Sequence, residues 1–234
     1  MGVTGTDGKT SVSHFIAQTL NRPDAASAVL GTIGNGLVGQ LQQASHTTPD
    51  VIQVHRMMAE LEQRGARQLA MEVSSHGLDQ GRVDGVDFDV AVLTNFGRDH
   101  LDYHGGIDDY RRAKQRLFQR HELKAIVLNL DDEFGRRLAT DLQSDAVKWG
   151  YTLQRQNEYP VASLIQATSV HAHAHGLSMH VVTPAGEADV DVPLLGEFNA
   201  SNVLATLSVL LVKGIEFNDA VDRLRHLMTV PGRM

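Results

Sequence analysis

The sequence predicts an α/β fold, in which helices cover both faces of a mostly parallel sheet and a small antiparallel accessory sheet is attached. Three short apolar runs, at residues 69–73, 90–93 and 125–128, have the length of buried strands. Stretches with helical spacing of apolar residues separate them, at residues 108–119 and 133–142. Buried strands that alternate with helices are typical of a parallel sheet covered on both faces.

Further helices are predicted on either side of these strands. Apolar residues follow Thr10 at helical spacing, and a second helix is predicted at residues 51–64. Helical periodicity returns at residues 200–212 and 219–227. The expected buried stripe of the second helix consists of Ile52, His55, Met58 and Leu61.

Residues 150–195 differ from the rest of the chain. Alternating segments at residues 163–175 and 177–183 are joined by glycine and proline turns, which predicts the small antiparallel sheet. Three histidines that share one face of such a strand could hold a metal ion. We favour a solvated edge strand for these histidines, which are His171, His173 and His175.

The composition excludes several classes of protein. The 234 residues include 42% hydrophobic residues, 21 basic and 28 acidic residues, and no cysteine. A net charge of −7 argues against binding to duplex nucleic acid, whose phosphates favour a basic surface. The absence of cysteine excludes a disulfide-stabilised secreted fold, and no membrane-spanning run or signal peptide is recognised. We expect a cytoplasmic protein without a membrane or nucleic-acid partner; its oligomeric state is not indicated.

A glycine-rich motif, GVTGTDGKT, occupies residues 2–10 ahead of the first predicted helix. Glycines allow backbone N–H groups to turn toward phosphate oxygens, and a helix N-terminus favours an anion. Lys9 is expected to reach the outer phosphates of a nucleotide, and the Thr10 hydroxyl to bind Mg²⁺. Val3 stands where the general P-loop pattern has glycine. An ordinary glycine-rich turn is the alternative, and we favour a P-loop-type phosphate site.

Glycine at every third position before Gly-Lys-Thr resembles the Mur ligases, and later segments strengthen the resemblance. The most specific are EVSSHGL at residues 72–78 and RDHLDYHG at residues 98–105; TTPD at 47–50, GEFNASN at 196–202 and PGRM at 231–234 follow the family's order. The resemblance covers essentially the whole chain and is greatest to the ligases that add the third amino acid of a cell-wall peptide. His46 and Asp7 depart from it, since family members commonly have asparagine there.

The resemblance implies a domain organisation. Residues 1–230 would be the central ATP-binding domain, with residues 150–195 as its antiparallel part. Residues 231–234 would begin the junction to a C-terminal domain that is missing, and an N-terminal uridine-binding domain would also be missing. Such a fragment alone is expected to bind ATP poorly and to catalyse little or nothing.

The reaction implied by the family is the activation of a carboxylate by ATP. The D-glutamyl carboxylate of UDP-N-acetylmuramoyl-L-alanyl-D-glutamate attacks the γ-phosphate, and an amine then displaces phosphate from the acyl phosphate. The site must supply positive charge to the transferred group. The resemblance therefore implies ATP, two Mg²⁺ ions and two small-molecule partners: this muramoyl dipeptide and an amino acid, with meso-diaminopimelate favoured over lysine.

The resemblance also assigns roles to individual residues. The catalytic residues would be Lys9, His100 and Lys114, the last as a carbamylated lysine. The nucleotide would be bound by Gly5, Thr6, Asp7, Gly8, Lys9, Thr10, Asn199, Asn202 and Arg233. The metal ligands would be Thr10, Glu72, His100 and Lys114. The muramoyl dipeptide would be bound by His46, Thr47, Thr48, Ser74, Gln80 and Arg82.

From the residues alone, several of these positions have simpler interpretations. Glu72 could reach solvent from a strand end, His100 could be a loop residue held by a neighbouring aspartate, and Lys114 has the pattern of a surface lysine. The TTPD run could cap the helix that follows it, and Asn199 could cap its own helix.

Other functions compete with this ligase. A related ligase that makes folate polyglutamates is disfavoured by EVSSHGL and TTPD. A P-loop kinase or switch GTPase is a second class, and the chain has no Asn-Lys-x-Asp run with which a GTPase reads guanine. A nucleotide-binding module without catalytic activity is the third.

Overall fold

The computed structural model describes residues 1–154 and 159–232, which form the following elements. The strands are β1 Gly2–Thr4, β2 Ala26–Leu30, β3 Asn35–Leu37, β4 Gln40–Gln42, β5 Ala66–Glu72, β6 Val90–Leu93, β7 Ala125–Asn129, β8 Val147–Thr152, β9 Ser163–His173, β10 Gly176–Thr183 and β11 Gly186–Val192. The helices are α1 Lys9–Leu20, α2 Val51–Gln63, α3 Ser75–Asp79, α4 Leu101–His104, α5 Ile107–Phe118, α6 Glu133–Asp141, α7 Phe198–Val212 and α8 Phe217–Arg225.

These strands form one sheet in the order β11-β10-β9-β8-β7-β6-β1-β5-β2-β3-β4. The strands from β9 to β2 in that order pair in parallel. At the two ends, β10 and β11, and β3 and β4, pair antiparallel. The predicted fold class is confirmed. The antiparallel part continues the main sheet instead of forming a separate one, because β9 pairs in parallel with β8.

Helices cover both faces of the sheet. Helices α1, α7 and α8 pack on one face, and α2, α5 and α6 pack on the other. Alternate residues of a strand face opposite sides, so Val90 and Val92 of β6 enter the first core while Ala91 and Leu93 enter the second. A strand covered on both faces must be apolar throughout, which explains why the central strands were recognisable as continuous apolar runs.

The strand order gathers three loops at one edge of the sheet. Central strand β1 lies between β5 and β6, and Val3 is in register with Glu72 on one side and Val92 on the other. Parallel strands end at the same edge, so the segments after Thr4, Glu72 and Leu93 lie side by side. The chain changes direction across the sheet at β1, and ligand sites in open α/β sheets form at such a point.

The predicted buried stripe of α2 is partly wrong. Ile52 is 77% exposed and His55 is exposed, whereas Val54 and Leu61 are buried and Met58 is half-buried. Steps of three residues drift around a helix with 3.6 residues per turn, so positions nine apart lie about 180° from each other. Ile52 and Leu61 therefore cannot share a face, and the buried stripe passes through Val54 instead.

The histidines at the end of β9 lie on a local edge of the sheet, as expected for a solvated edge strand. Strand β9 pairs with β10 along one side up to His173, whereas among the described residues its pairing with β8 on the other side ends at Gln166. His171 and His173 are exposed beyond that point. Among residues 1–154 and 159–232, no group of three or more His, Cys, Asp or Glu side chains is arranged to hold a metal ion. None of the helices formed by these residues has the length and apolar character needed to cross a membrane.

His14 gives the stability of this fold a pH dependence. It is buried in α1, its Nε2 has no hydrogen-bond partner among the described residues, and burial lowers its pKa below the ordinary 6.5. The unfolded chain therefore takes up a proton near pH 6.5, while the folded chain does so only at lower pH. We expect the free energy of unfolding to fall as the pH drops below 6.5, by up to about 1.4 kcal/mol per pH unit from this group.

Urea unfolding of the wild type and His14→Leu between pH 5 and 8 measures this contribution. The difference between the two free-energy curves should be flat above pH 6.5 and should favour His14→Leu increasingly below it. A difference that does not change with pH would show that His14 is not the group responsible.

Candidate active site

The glycine-rich motif forms a tight turn between β1 and α1. Gly5 and Gly8 have φ angles of 155° and 80°, which other residues rarely adopt. A Cβ atom at Gly5 would lie 1.9 Å from Thr94 Oγ1, and one at Gly8 would lie 2.7 Å from Asn202 Oδ1. Gly8 is the N-cap of α1 and no side chain caps this helix, so its first turn is open to an anion.

Residues after β6 hold the tip of this loop. Asn95 Oδ1 accepts from the backbone N–H groups of Thr6, at 3.1 Å, and Asp7, at 2.8 Å. Asn95 Nδ2 donates to the Asp7 carbonyl at 3.1 Å, and Thr94 Oγ1 donates to the same carbonyl at 2.5 Å. The Thr6–Asp7 backbone is therefore fixed from the neighbouring strand before any ligand binds.

Replacing Asn95 with alanine should loosen this loop. Two backbone N–H groups lose a side-chain acceptor, which is expected to cost about 1–3 kcal/mol of stability. Urea unfolding measures the cost, with Asn218→Ala as a matched control because Asn218 is exposed at the start of α8. Equal effects of the two substitutions would contradict the role given to Asn95.

Two lysines meet at one carbonyl oxygen of the loop. Lys9 Nζ donates to Gly5 O at 3.0 Å and to Thr6 O at 2.8 Å, and Lys114 Nζ donates to Gly5 O at 2.7 Å. Lys114 is 1% exposed, which shows that its interpretation as a surface lysine is wrong. Burial, and secondarily the charge of Lys9, hold the pKa of Lys114 well below its usual value of 10.5. Lys114 belongs to α5, and its amine lies 4.6 Å from the centre of the Tyr110 ring of the same helix.

Glu72 ends β5 as a fully buried carboxylate, so the alternative in which it reaches solvent is wrong. Its Oε2 accepts from Thr10 Oγ1 at 2.9 Å. Its Oε1 accepts from the Thr32 N–H at 2.8 Å, and Thr32 Oγ1 lies 3.1 Å from Oε2. Among the ion pairs of the described residues, none involves Glu72. A buried carboxylate without a cationic partner, next to the threonine of a phosphate loop, has the donor chemistry that Mg²⁺ prefers.

The residues expected to bind the acceptor substrate lie together beside Glu72. Thr48 Oγ1 donates to the Glu72 carbonyl at 2.9 Å and accepts from the Ser74 N–H at 3.0 Å. Arg82 Nη1 donates to the Thr48 carbonyl at 2.8 Å, and Arg82 Nε donates to Gln80 Oε1 at 2.8 Å. No carboxylate pairs with Arg82 among the residues that the structure describes.

A cleft of about 320 Å³ opens at this group, and His46, Gln80 and Arg82 are among its lining residues. His46 is exposed there and contacts Ser45. Asp50 of the TTPD run caps α2 by accepting from the Gln53 N–H at 2.9 Å. The run therefore both caps α2 and borders this cleft, through Asp50.

His100 lies in the loop that carries α4. Its backbone N–H donates to Asp99 Oδ1 at 2.9 Å, and its Nε2 lies 3.3 Å from Asp99 Oδ2, as the simpler interpretation expected. Its φ of 51° is the one positive value outside glycine in the described residues, and such a backbone is unusual at a non-glycine position. The His100 ring centre lies 4.7 Å from that of His76 and 6.4 Å from that of Tyr110, which also contacts Lys114.

The glycine-rich loop and the start of α7 border a second cleft. Asn202 Nδ2 donates to Asn199 Oδ1 at 3.0 Å, and Asn199 Nδ2 donates to the Leu195 carbonyl at 2.8 Å. Asn199 is not the cap of α7, which begins after Glu197. The cleft has a volume of about 390 Å³ and is lined by Asp7, Gly8, Asn95, Phe198, Ser201 and Asn202. Arg233 lies outside the described residues.

Three residues without a predicted role also hold this site together. Thr32 contacts Glu72, Asn95 holds the loop tip, and Tyr110 OH lies 3.1 Å from Thr6 Oγ1. Asn95 belongs to a Thr-Asn pair after an apolar run, where a polar side chain at the end of a central strand is a signal that could have been used. Thr32 and Tyr110 lie in segments whose proximity to the loop depends on the tertiary fold.

Comparisons of sequence and of structure with known proteins identify the same family. The family model of the Mur ligase middle domain matches residues 3–210. A UDP-N-acetylmuramoyl-L-alanyl-D-glutamate--2,6-diaminopimelate ligase from Coxiella burnetii is 46% identical over 100% of this chain and 48% of its own length. The ligase of the same name from Alkalilimnicola ehrlichii is 48% identical over 100% of this chain and 46% of its own length.

A solved structure of a ligase with this name superimposes with a TM-score of 0.88 and 37% identity, covering 100% of this chain and 47% of that one. The chain thus spans about half the length of the curated relatives it matches. The family match covers most of the chain and agrees with the phosphate loop, the buried Glu72 and the strand order around them. The chain belongs to the Mur ligase middle-domain family.

Proposed function

We propose that this chain is the ATP-binding part of a cytoplasmic ligase that joins meso-diaminopimelate to UDP-N-acetylmuramoyl-L-alanyl-D-glutamate during peptidoglycan precursor synthesis. Residues 1–230 are its central domain, and residues 231–234 begin the junction to a further domain. The observation that carries the proposal is the convergence of Lys9 and Lys114 on Gly5 O, beside a fully buried Glu72 that contacts Thr10. The relatives named above supply the identity of the substrates.

The phosphate loop provides the ATP site. Its glycines bring backbone N–H groups close to phosphate oxygens, and the uncapped start of α1 adds a favourable dipole. Lys9 would exchange the carbonyls of Gly5 and Thr6 for phosphate oxygens. Asn202 lines the cleft beside Gly8 and donates to Asn199, and these two asparagines would contact the adenine. Arg233 would also bind the nucleotide.

Thr10 and Glu72 fit a first Mg²⁺ ion, because one is a hydroxyl of the loop and the other a buried carboxylate without a cationic partner among the described residues. The bound metal would neutralise charge on the transferred phosphoryl group. The Thr10 hydroxyl would turn from Glu72 toward the metal. Two hydrogen bonds from Thr32 would still hold the carboxylate in place.

Lys114 fits the role of a carbamylated lysine. Its amine is buried and its pKa is held well below the usual value, so that the neutral form needed to react with CO₂ is more abundant than in an exposed lysine. The nitrogen of the neutral amine would form a bond to the carbon of CO₂ while one C=O π pair moves onto oxygen. Loss of one proton from the nitrogen then leaves an anionic carbamate. That carbamate and His100 would hold a second Mg²⁺ ion. The His100 ring centre lies 6.4 Å from that of Tyr110, whose ring also contacts the Lys114 amine.

The acceptor substrate would lie in the cleft beside Glu72. Arg82 has no carboxylate partner among the described residues, so its guanidinium is suited to bind an anionic group of the muramoyl dipeptide. Five further residues would supply hydroxyl, amide and imidazole groups around the bound dipeptide. They are His46, Thr47, Thr48, Ser74 and Gln80. Holding the D-glutamyl carboxylate next to the terminal phosphate would account for much of the acceleration.

A phosphate-release assay on the full-length protein tests this function. ATP, Mg²⁺ and UDP-N-acetylmuramoyl-L-alanyl-D-glutamate are combined with meso-diaminopimelate or with lysine. We expect release that requires the muramoyl dipeptide and is fastest with meso-diaminopimelate. Release that requires a pteroyl substrate instead would identify a folylpolyglutamate-type ligase, and no release with any acceptor would indicate a nucleotide-binding module.

A further inference from the structure

The turn between β2 and β3 contacts both halves of the proposed site. Thr32 follows β2 in this turn, and its N–H and hydroxyl both contact the Glu72 carboxylate, at 2.8 and 3.1 Å. The same Thr32 hydroxyl lies 3.0 Å from the hydroxyl of Thr47. One side chain therefore connects the carboxylate on the metal side with a hydroxyl on the acceptor-substrate side.

The backbone of this turn is packed directly against Glu72. A Cβ atom at Gly31 would lie 2.2 Å from Glu72 Oε1 and 2.7 Å from its Cδ. Glycine at position 31 is thus what lets the turn approach closely enough for Thr32 to form both hydrogen bonds. A movement of the carboxylate must be accompanied by a movement of Thr32.

The proton positions follow from simple chemistry. An ionised carboxylate can only accept hydrogen bonds, and a threonine hydroxyl has one proton to donate. When Thr32 donates to Glu72, its oxygen is left to accept the proton of Thr47. The Thr47 oxygen then keeps a lone pair that can accept from a donor on the substrate. Because Thr32 is exposed and Thr47 half-buried, a bound acceptor can reach this chain of hydroxyls.

We propose that Thr32 is a positioning residue that couples the nucleotide–metal half of the site to the acceptor half. A muramoyl dipeptide on Thr47 fixes the Thr47 and Thr32 hydroxyls, which orders Glu72 for Mg²⁺ and ATP. By linkage, Mg²⁺–ATP strengthens dipeptide binding by the same factor. This inference rests on the proposed function for the identity of the two ligands.

The test is a set of equilibrium dissociation constants for the full-length protein. A non-hydrolysable ATP analogue with Mg²⁺ is titrated with and without saturating UDP-N-acetylmuramoyl-L-alanyl-D-glutamate. In the wild type we expect the dipeptide to tighten analogue binding by about fivefold, the low end of typical coupling, since the hydroxyl contacts are partly exposed. Thr32→Val removes the hydroxyl and should bring this ratio close to one, whereas Thr32→Ser should retain it.

Thr140→Val is the matched control, because Thr140 is an exposed threonine on α6 whose hydroxyl donates to the Arg136 carbonyl of its own helix. It should leave the wild-type ratio unchanged. A wild-type ratio in Thr32→Val would overturn the coupling role, even if both affinities fall. So would a ratio of one in Thr32→Ser. A wild type that binds the ATP analogue but not the dipeptide would instead refute the proposed function, and the coupling with it.

Discussion

Replacing Lys114 with methionine in the full-length protein is expected to lower kcat/KM by roughly 10²–10³-fold, the range found when one group that stabilises transition-state charge is lost. Methionine keeps the length of the apolar stem beside Tyr110 but cannot form a carbamate. The ligand-free protein should be at least as stable as the wild type, because a nearly fully buried amine with a strongly lowered pKa is removed. The substitution should therefore lower kcat/KM without lowering the stability of the ligand-free protein.

Lys124→Met provides the matched control. Lys124 is an exposed lysine that pairs with Asp89 at 2.5 Å where β6 and β7 begin, at the edge of the sheet opposite the loop. Its substitution should leave kcat/KM unchanged. Protein equilibrated with ¹³C-bicarbonate should also show a carbamate resonance that Lys114→Met lacks. Full activity of Lys114→Met would contradict the role proposed for this lysine.

Replacing Glu72 with glutamine should separate metal binding from folding. The amide has nearly the same shape and can keep a hydrogen bond from the Thr32 N–H, so the ligand-free unfolding temperature should not fall. The charge that would hold Mg²⁺ is lost, and a metal contributes several kcal/mol to the stabilisation of charge in the reaction. We expect kcat/KM to fall by at least roughly 10²-fold, and the stabilisation by Mg²⁺–ATP to disappear.

Thermal unfolding with and without Mg²⁺ and an ATP analogue measures this change, alongside the phosphate-release assay. Glu60→Gln is the control, since Glu60 is an exposed glutamate of α2 that pairs with Arg56. A Glu72→Gln protein with the wild-type dependence on Mg²⁺ would show that the carboxylate does not contribute to the metal site.

The central strands and main helices were predictable because their patterns are local. The runs that became β6 and β7 are apolar, and the run at residues 69–73 in β5 is apolar except for Glu72, as strands between two helical layers largely must be. Strands β2 and β8 were not predicted, because Ala-Ser-Ala in β2 and Lys148 in β8 interrupt the apolar pattern. The hairpin of β3 and β4 has three residues in each strand, too few to show a period.

The site was predictable only where a motif or a family resemblance marked it. The glycine spacing pointed to Lys9 and Thr10 without any structural information. Lys114 illustrates the limit, since helical spacing alone suggested a surface lysine and only the packing of α5 against the loop buries its amine. Thr32 lies 40 residues from Glu72 in the chain, and no pattern within either segment indicates their contact.

The proposed function requires Thr10 and Glu72 to hold a metal ion beside a nucleotide whose phosphates lie in the glycine-rich loop. This arrangement can be seen in a crystal structure of the full-length protein with Mn²⁺ and a non-hydrolysable ATP analogue, because Mn²⁺ is located by its anomalous scattering. We expect a metal peak in contact with Thr10 Oγ1 and a Glu72 carboxylate oxygen, with the phosphates at the start of α1. A nucleotide bound in another cleft, or a metal with no contact to either residue, would contradict it.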